Sequence, residues 1–134
     1  GTELDFRSSQ VIGARIPDKI ATKTEDANTP TLGYDHNFVL NGQSGKQRMA
    51  ARLKDPKSGR VMEIYTDQVA IQFYSGNFLN NQRGKGGKKY PFRGALCLET
   101  QHNPDSVNHP NFPSTILRPG DTYKTTTVHK FSAE

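Results

Sequence analysis

The sequence has one cysteine, no tryptophan and no long apolar run, and each lack excludes something. Cys97 alone cannot close an internal disulfide, and no Cys/His spacing resembles a zinc site, so no metal is expected. A reducing compartment, the cytoplasm, is the expected location. No Asn-x-Ser/Thr acceptor with a permitted middle residue occurs, which points the same way. No apolar stretch approaches the ~20 residues of a membrane span, and no basic-plus-apolar N-terminal segment reads as a signal peptide. The chain begins Gly1-Thr2-Glu3 without Met, so the natural N-terminus is expected to lie upstream, with any targeting segment. Large apolar side chains are scarce too. Leu, Ile, Val and Phe make up 27 of the 134 residues, about a fifth, near the level below which chains fail to fold. The core is expected to be thin, in a strand-rich domain with long polar loops or in part of something larger.

What charge there is runs positive, with a net +5, which raises the question of nucleic acid. Most cations are scattered. The one dense cluster, Arg83-Gly84-Lys85-Gly86-Gly87-Lys88-Lys89, lacks the register of a phosphate loop, because no Ser or Thr follows its lysine. It is not interleaved with aromatics as a base-stacking platform would be. A solvated hairpin tip is the expected role, and no nucleic-acid partner is predicted.

Periodicity along the chain is mostly two. Strands are predicted at Asn37 to Asn41, Gln47 to Lys54, Arg60 to Asp67, Ala70 to Tyr74, Ala95 to Thr100 and Thr122 to Phe131. Asp55-Pro56-Lys57-Ser58-Gly59 reads as a hairpin connection. On the last strand Tyr123, Thr125, Thr127, His129 and Phe131 share a face by alternation. Ser8 to Ile16 has at most a couple of helical turns, residues 21–31 read as polar loop, and Pro104, Pro110 and Pro113 bar a regular element from 101–114. There is no internal repeat and no linker. The fold class is all-β, an antiparallel sandwich with long loops.

Three polar residues stand where packing alone would not put them. Asp35 precedes a strand in Gly33-Tyr34-Asp35-His36-Asn37-Phe38, Gln72 interrupts Ala70-Ile71-Gln72-Phe73-Tyr74, and Glu99 closes the most apolar strand. A carboxylate reached through Leu96-Cys97-Leu98 is expected to be partly desolvated, which makes it a better proton acceptor near neutrality. The pattern serves equally a strand-end acid bonded to neighbouring backbone, so both readings stand. For His36, His102, His109 and His129 surface or loop-bonding roles are expected. His36 should face away from Asp35 on extended backbone, and His102 with His109 lacks a third ligand.

These segments, together with Ser58-Gly59-Arg60-Val61, Gln72 through Leu79, Leu98-Glu99-Thr100-Gln101, Pro104 through Pro113 and Arg118-Pro119-Gly120, closely resemble the aldose 1-epimerases, or galactose mutarotases, in order along the chain. The resemblance implies a β-sandwich enzyme without cofactor or metal, of which residues 1–134 are the C-terminal portion of a single domain. It implies that Glu99 is the general base and that Asp35 and Gln72 bind an aldohexose such as galactose or glucose. The family's general-acid histidine, a second sugar-site histidine and a substrate-binding arginine belong to the N-terminal portion, expected as a separate chain or missing segment. Where the family has Pro-Gly after Thr-x-Gln, this sequence has Val69-Ala70. A non-catalytic carbohydrate-binding protein of the same fold is the alternative.

Overall fold

The turn residues, more than the strands, decide which segments pair. In the computed structural model, which describes residues 2–16, 21–22 and 31–134, ten strands follow one another: β1 (Ala21–Thr22), β2 (Thr31–Leu32), β3 (Asp35–Val39), β4 (Arg48–Lys54), β5 (Arg60–Thr66), β6 (Ala70–Tyr74), β7 (Gln82–Arg83), β8 (Lys89–Tyr90), β9 (Cys97–Gln101) and β10 (Thr127–Ala133). Two sheets have three strands, in the orders β10-β5-β4 and β3-β6-β9, and two are short two-stranded ribbons, β1-β2 and β7-β8. The chain divides into two compact units, residues 1–36 with 73–98 and residues 37–72 with 99–134. Each unit draws on two separate stretches of chain, which is why the sequence shows no linker.

The first unit is built around aromatic rings. Tyr34 is fully buried and stacks on Phe73 at 4.8 Å between ring centroids. Phe6 meets both rings edge-on, at 5.2 and 5.8 Å, the favoured geometry for ring quadrupoles. The Arg15 guanidinium lies over Phe6 at 5.9 Å and donates to the carbonyls of Glu3 and Asp5. Burial pushes the Tyr34 phenol pKa up, and its hydroxyl donates to the Glu3 carbonyl. A clasp closes over this cluster: the Asn77 amide donates to the Tyr34 carbonyl at 2.8 Å, Ser75 Oγ donates to Asn77 Oδ1 at 2.6 Å, and the Tyr34 N–H donates to Ser75 Oγ. Gly33 makes room for it. Its φ is +139°, and a Cβ there would sit 1.9 Å from Asn77 Oδ1. The cationic cluster occupies the β7–β8 hairpin, with Gln82 opposite Tyr90 and Arg83 opposite Lys89. All four of its cations are exposed, as expected of a tip.

The second unit contains the predicted β4–β5 hairpin. Asp55 caps its turn, accepting from Lys57 N–H and from Ser58 N–H and Oγ–H, while Gly59 takes a φ of +72°. The ladder runs antiparallel from Lys54↔Val61 to Arg48↔Thr66, with a bulge between Met49 and Ala51. β10 pairs with the other edge of β5, Thr127 opposite Thr66 through Ala133 opposite Arg60. Val61, Ile64, Thr66, Val69, Ala70 and Ile71 form the core. An ion group of Arg52, Glu63, Lys130, Lys54 and Glu134 lies on the exposed side. Pairing with Arg52 and Lys54 holds Glu134 below the usual carboxylate range.

Several boundaries differ from the sequence expectation. The last strand starts at Thr127, not Thr122, because the segment before it is held by side chains instead of a ladder. The Asp67 carboxylate accepts from Thr125 Oγ–H and Thr126 N–H, and the Gln68 amide donates to the Tyr123 hydroxyl. β9 starts at Cys97, not Ala95, because Gly94 N–H turns back to the Pro91 carbonyl. β3 begins two residues earlier than predicted, at Asp35. Within the stretch read as polar loop, Ala21 pairs with Leu32 and Thr22 with Thr31, and residues 23–30 lie outside the described residues. Within Ser8 to Ile16 the described residues form one 3-10 turn, Ile12–Ala14, with Gly13 inside it, and Ile16 is helical. Ser106–Asn108 forms a similar turn between the prolines.

Two outcomes follow from these contacts. Gly33→Ala should destabilise the protein by more than about 2 kcal/mol, since the new Cβ must displace the Asn77 clasp from a backbone conformation that alanine disfavours. Thermal denaturation measures this. The hydrogen bonds from Thr125 and then from Thr126 hold the Asp67 pKa below the ordinary 3.8. A depressed carboxylate contributes stability that is complete above its unfolded pKa and disappears as the pH falls through the lower folded value. Asp67→Asn should therefore be less stable than the parent at neutral pH, and the difference should close in strong acid. Denaturant melts across that range test the sign.

Candidate functional site

Alternation on three neighbouring strands sorts the polar residues onto one face. On β6, the middle strand of its sheet, Ile71 and Phe73 are buried and Gln72 between them is half-buried. Gln72 therefore projects from the side of the strand opposite to Ile71 and Phe73, and its Oε1 is buried. On β9, Leu98 and Thr100 are half-buried while Cys97 and Glu99 are exposed. On β3, His36 lies edge-on to the buried Tyr34 ring at 6.3 Å, which leaves Asp35 and Asn37 pointing the other way. Asp35 is half-buried, and its own N–H donates to His36 Nδ1 at 3.0 Å.

Within the second unit this face is tied together by amides. The Leu40 N–H donates to the Val69 carbonyl, and three residues inward on each antiparallel strand Asn37 stands across from Gln72. Asn37 Oδ1 accepts from Gln101 Nε2 at 3.2 Å, and Asn37 Nδ2 donates to Asn103 Oδ1 at 2.8 Å. Asn103 is buried, and its carbonyl accepts from Ser106 Oγ at 2.6 Å. The Gln101–Asn37 bond requires both residues on the same face, and Glu99, two before Gln101, shares it. Gln72 and Glu99 thus sit on adjacent strands of one unit, flanked by Asn37 and Gln101. Asp35 belongs to the other unit.

One expectation is overturned. Glu99 is exposed, not desolvated. Among the described residues β9 is the outer strand of its sheet, so there Glu99 has a neighbouring strand on one flank, while Leu98 and Thr100 take the inward positions. Sequence reasoning also passed over Asn37, Gln101 and Asn103. The signal was present for the first two: each lies two residues along a strand from an acid already singled out. Asn103 gave none, because its partner is 66 positions away. The Val69-Ala70 departure leaves the approach to β6 well held. Both residues are buried, and Gln68 N–H donates to Thr66 Oγ1.

The histidines are engaged elsewhere. His102 leans on Tyr123, His109 contacts Asp105 at 3.3 Å and the Phe112 ring, and His129 is opposite Ile64 on the β10–β5 ladder. Among the described residues no group of three His, Cys, Asp or Glu could hold a metal, and no helix is long and apolar enough to cross a membrane. A carboxylate beside a row of amides can accept a proton and hydrogen-bond several hydroxyls, which is the chemistry of a polyol site.

Comparison with known proteins defines the class. Residues 1–130 match the Aldose 1-epimerase family, and the chain belongs to it. Galactose mutarotase of Bos taurus is 52% identical over 133 residues, and that of Mus musculus 44% identical; each alignment covers 98% of this chain and 36% of the relative. Aldose 1-epimerase of Escherichia coli K12 is 35% identical, with 38% of its length covered. A crystal structure of the GalM/aldose epimerase homologue from C. elegans superposes with a TM-score of 0.67 and 32% identity, over 81% of this chain and 32% of that one. The family resemblance and the antiparallel all-β fold class read from the sequence are borne out. The chain spans about a third of the length of these relatives.

Proposed function

We propose that residues 1–134 are the C-terminal portion of a single aldose 1-epimerase domain that interconverts the α and β anomers of aldohexoses such as galactose and glucose. The observation that carries this reading is a carboxylate, Glu99, on one sheet face with Gln72, Asn37 and Gln101, in a chain of this family. Mutarotation opens the pyranose ring, turns the C1–C2 bond and recloses the ring. A base removes the anomeric hydroxyl proton while an acid protonates the ring oxygen, and the roles reverse on closure. Glu99 is the base, and Gln72 and Asp35 hold other hydroxyls. No metal, cofactor or nucleic acid takes part.

The acid comes from outside this chain. His36 is turned to Tyr34 and His109 to Asp105, so neither is offered to a sugar beside Glu99. The N-terminal portion, as a separate chain or an adjoining segment, supplies the acid and covers Glu99, providing the desolvation that a strong base needs. A cytoplasmic setting suits the exposed Cys97, which has no disulfide partner. The exposed Glu99 is also the observation favouring the second reading, a carbohydrate-binding protein that retains Asp35 and Gln72 and catalyses nothing.

Polarimetry of freshly dissolved α-D-galactose with the full-length protein separates the two. Glu99→Gln keeps shape and removes proton acceptance, so turnover should fall by about 10²–10⁴-fold with little change in stability. A wild-type protein that binds galactose without accelerating its mutarotation establishes the binding reading. Asp35→Asn should mainly raise KM, with a smaller loss in kcat, because a residue that binds hydroxyls acts on ground and transition states alike. A large kcat loss at unchanged KM would instead assign Asp35 to proton transfer.

A further inference from the structure

The residue after Glu99 is held by a chain of hydroxyls that the reaction itself does not use. Thr100 Oγ1 lies 2.7 Å from Thr127 Oγ1, which lies 3.0 Å from Thr66 Oγ1. Thr66 is fully buried, and its hydroxyl meets the Thr126 carbonyl while accepting from Gln68 N–H. A hydroxyl has one proton. That of Thr66 can go to the Thr126 carbonyl or to Thr127, and within each Thr–Thr pair either oxygen can donate.

Thr127 and Thr66 are directly opposite on the β10–β5 ladder, so their relative placement is set by seven paired residues. Their β-branched side chains have few rotamers in which to relax. Thr100 belongs to β9, an outer strand that lacks a partner strand on one side among the described residues. The hydroxyl chain grips β9 from the inward face at Thr100. The Gln101–Asn37–Asn103 amides grip it from the outward face one residue later. Glu99 itself is exposed, so its aim depends on a backbone pinned at the next two positions.

We propose that Thr127 is a positioning residue for Glu99, acting through Thr100, and that the enzyme needs its hydroxyl for rate, not for binding sugar. The inference rests on the reading of Glu99 as the base. Loss of the hydroxyl leaves Thr100 and Thr66 without their shared partner and frees β9 to shift. A displacement well below 1 Å is enough to lower the rate of a proton transfer without altering affinity.

The test compares Thr127→Val, Thr127→Ser, Thr100→Val and Glu99→Gln in the full-length protein, with kcat, KM and thermal midpoint measured for each. Thr127→Val should lose roughly tenfold in kcat at unchanged KM. Thr127→Ser should recover to within about twofold of wild type, because it restores the hydroxyl. Thr100→Val should reproduce the loss from the other end of the chain, which keeps the test intact if Thr127→Val fails to fold. A lowered thermal midpoint with kcat unchanged in both valine variants, while Glu99→Gln is inactive, would overturn the positioning role and leave the base assignment standing. Full activity in Glu99→Gln would remove the base assignment and the inference with it.

Discussion

The second unit depends on one contact more than any other, the meeting of three threonine hydroxyls at Thr127. Strand ladders fix β4, β5 and β10 relative to one another, and a different ladder fixes β3, β6 and β9. Neither ladder alone says where Glu99 lies relative to the Thr66 core. The contacts of Thr127 with Thr66 and with Thr100 supply that information at a half-buried position, where a hydroxyl without a partner is costly. Valine would fill the same volume and leave the strands free to slide. Threonine combines the shape of a core residue with the specificity of a hydrogen bond.

The same division of labour appears in the first unit. Tyr34 contributes apolar area through its stack on Phe73, while its backbone N–H and carbonyl are taken by Ser75 and Asn77. With so few large aliphatic residues, burial is concentrated in a handful of aromatic and branched side chains, and small polar groups fix their geometry. Ser75-Gly76-Asn77, the segment that follows β6, is a structural clasp.

Much of this was legible in the sequence because it is local. The β4–β5 hairpin follows from Pro56 and Gly59 between alternating runs, and β6 was delimited to the residue. His36 faces away from Asp35 because adjacent residues on extended backbone must diverge. What escaped was set by partners far along the chain. The Thr122–Thr126 segment has β-branched residues suited to a strand, yet Asp67 and Gln68 claim its hydrogen-bonding groups first. The exposure of Glu99 was hidden for the same reason: an apolar run signals a strand, but whether that strand is central or at an edge depends on topology, which no run of four residues encodes.

Charge gives the last step. Between Asp67 and Glu99 the chain has five cations, Arg83, Lys85, Lys88, Lys89 and Arg93, and no acid. These five equal the whole excess, so the other thirteen cations are matched by the thirteen acids. The excess positive charge is therefore a property of one acid-free segment of the sequence, which contains the β7–β8 hairpin. Within the second unit, the polar face offers the Glu99 carboxylate and the neutral amides of Gln72, Asn37 and Gln101. A site for a phosphorylated or nucleic-acid ligand would carry its cations among the groups that contact the ligand. Amides beside a carboxylate instead suit groups that both donate and accept hydrogen bonds.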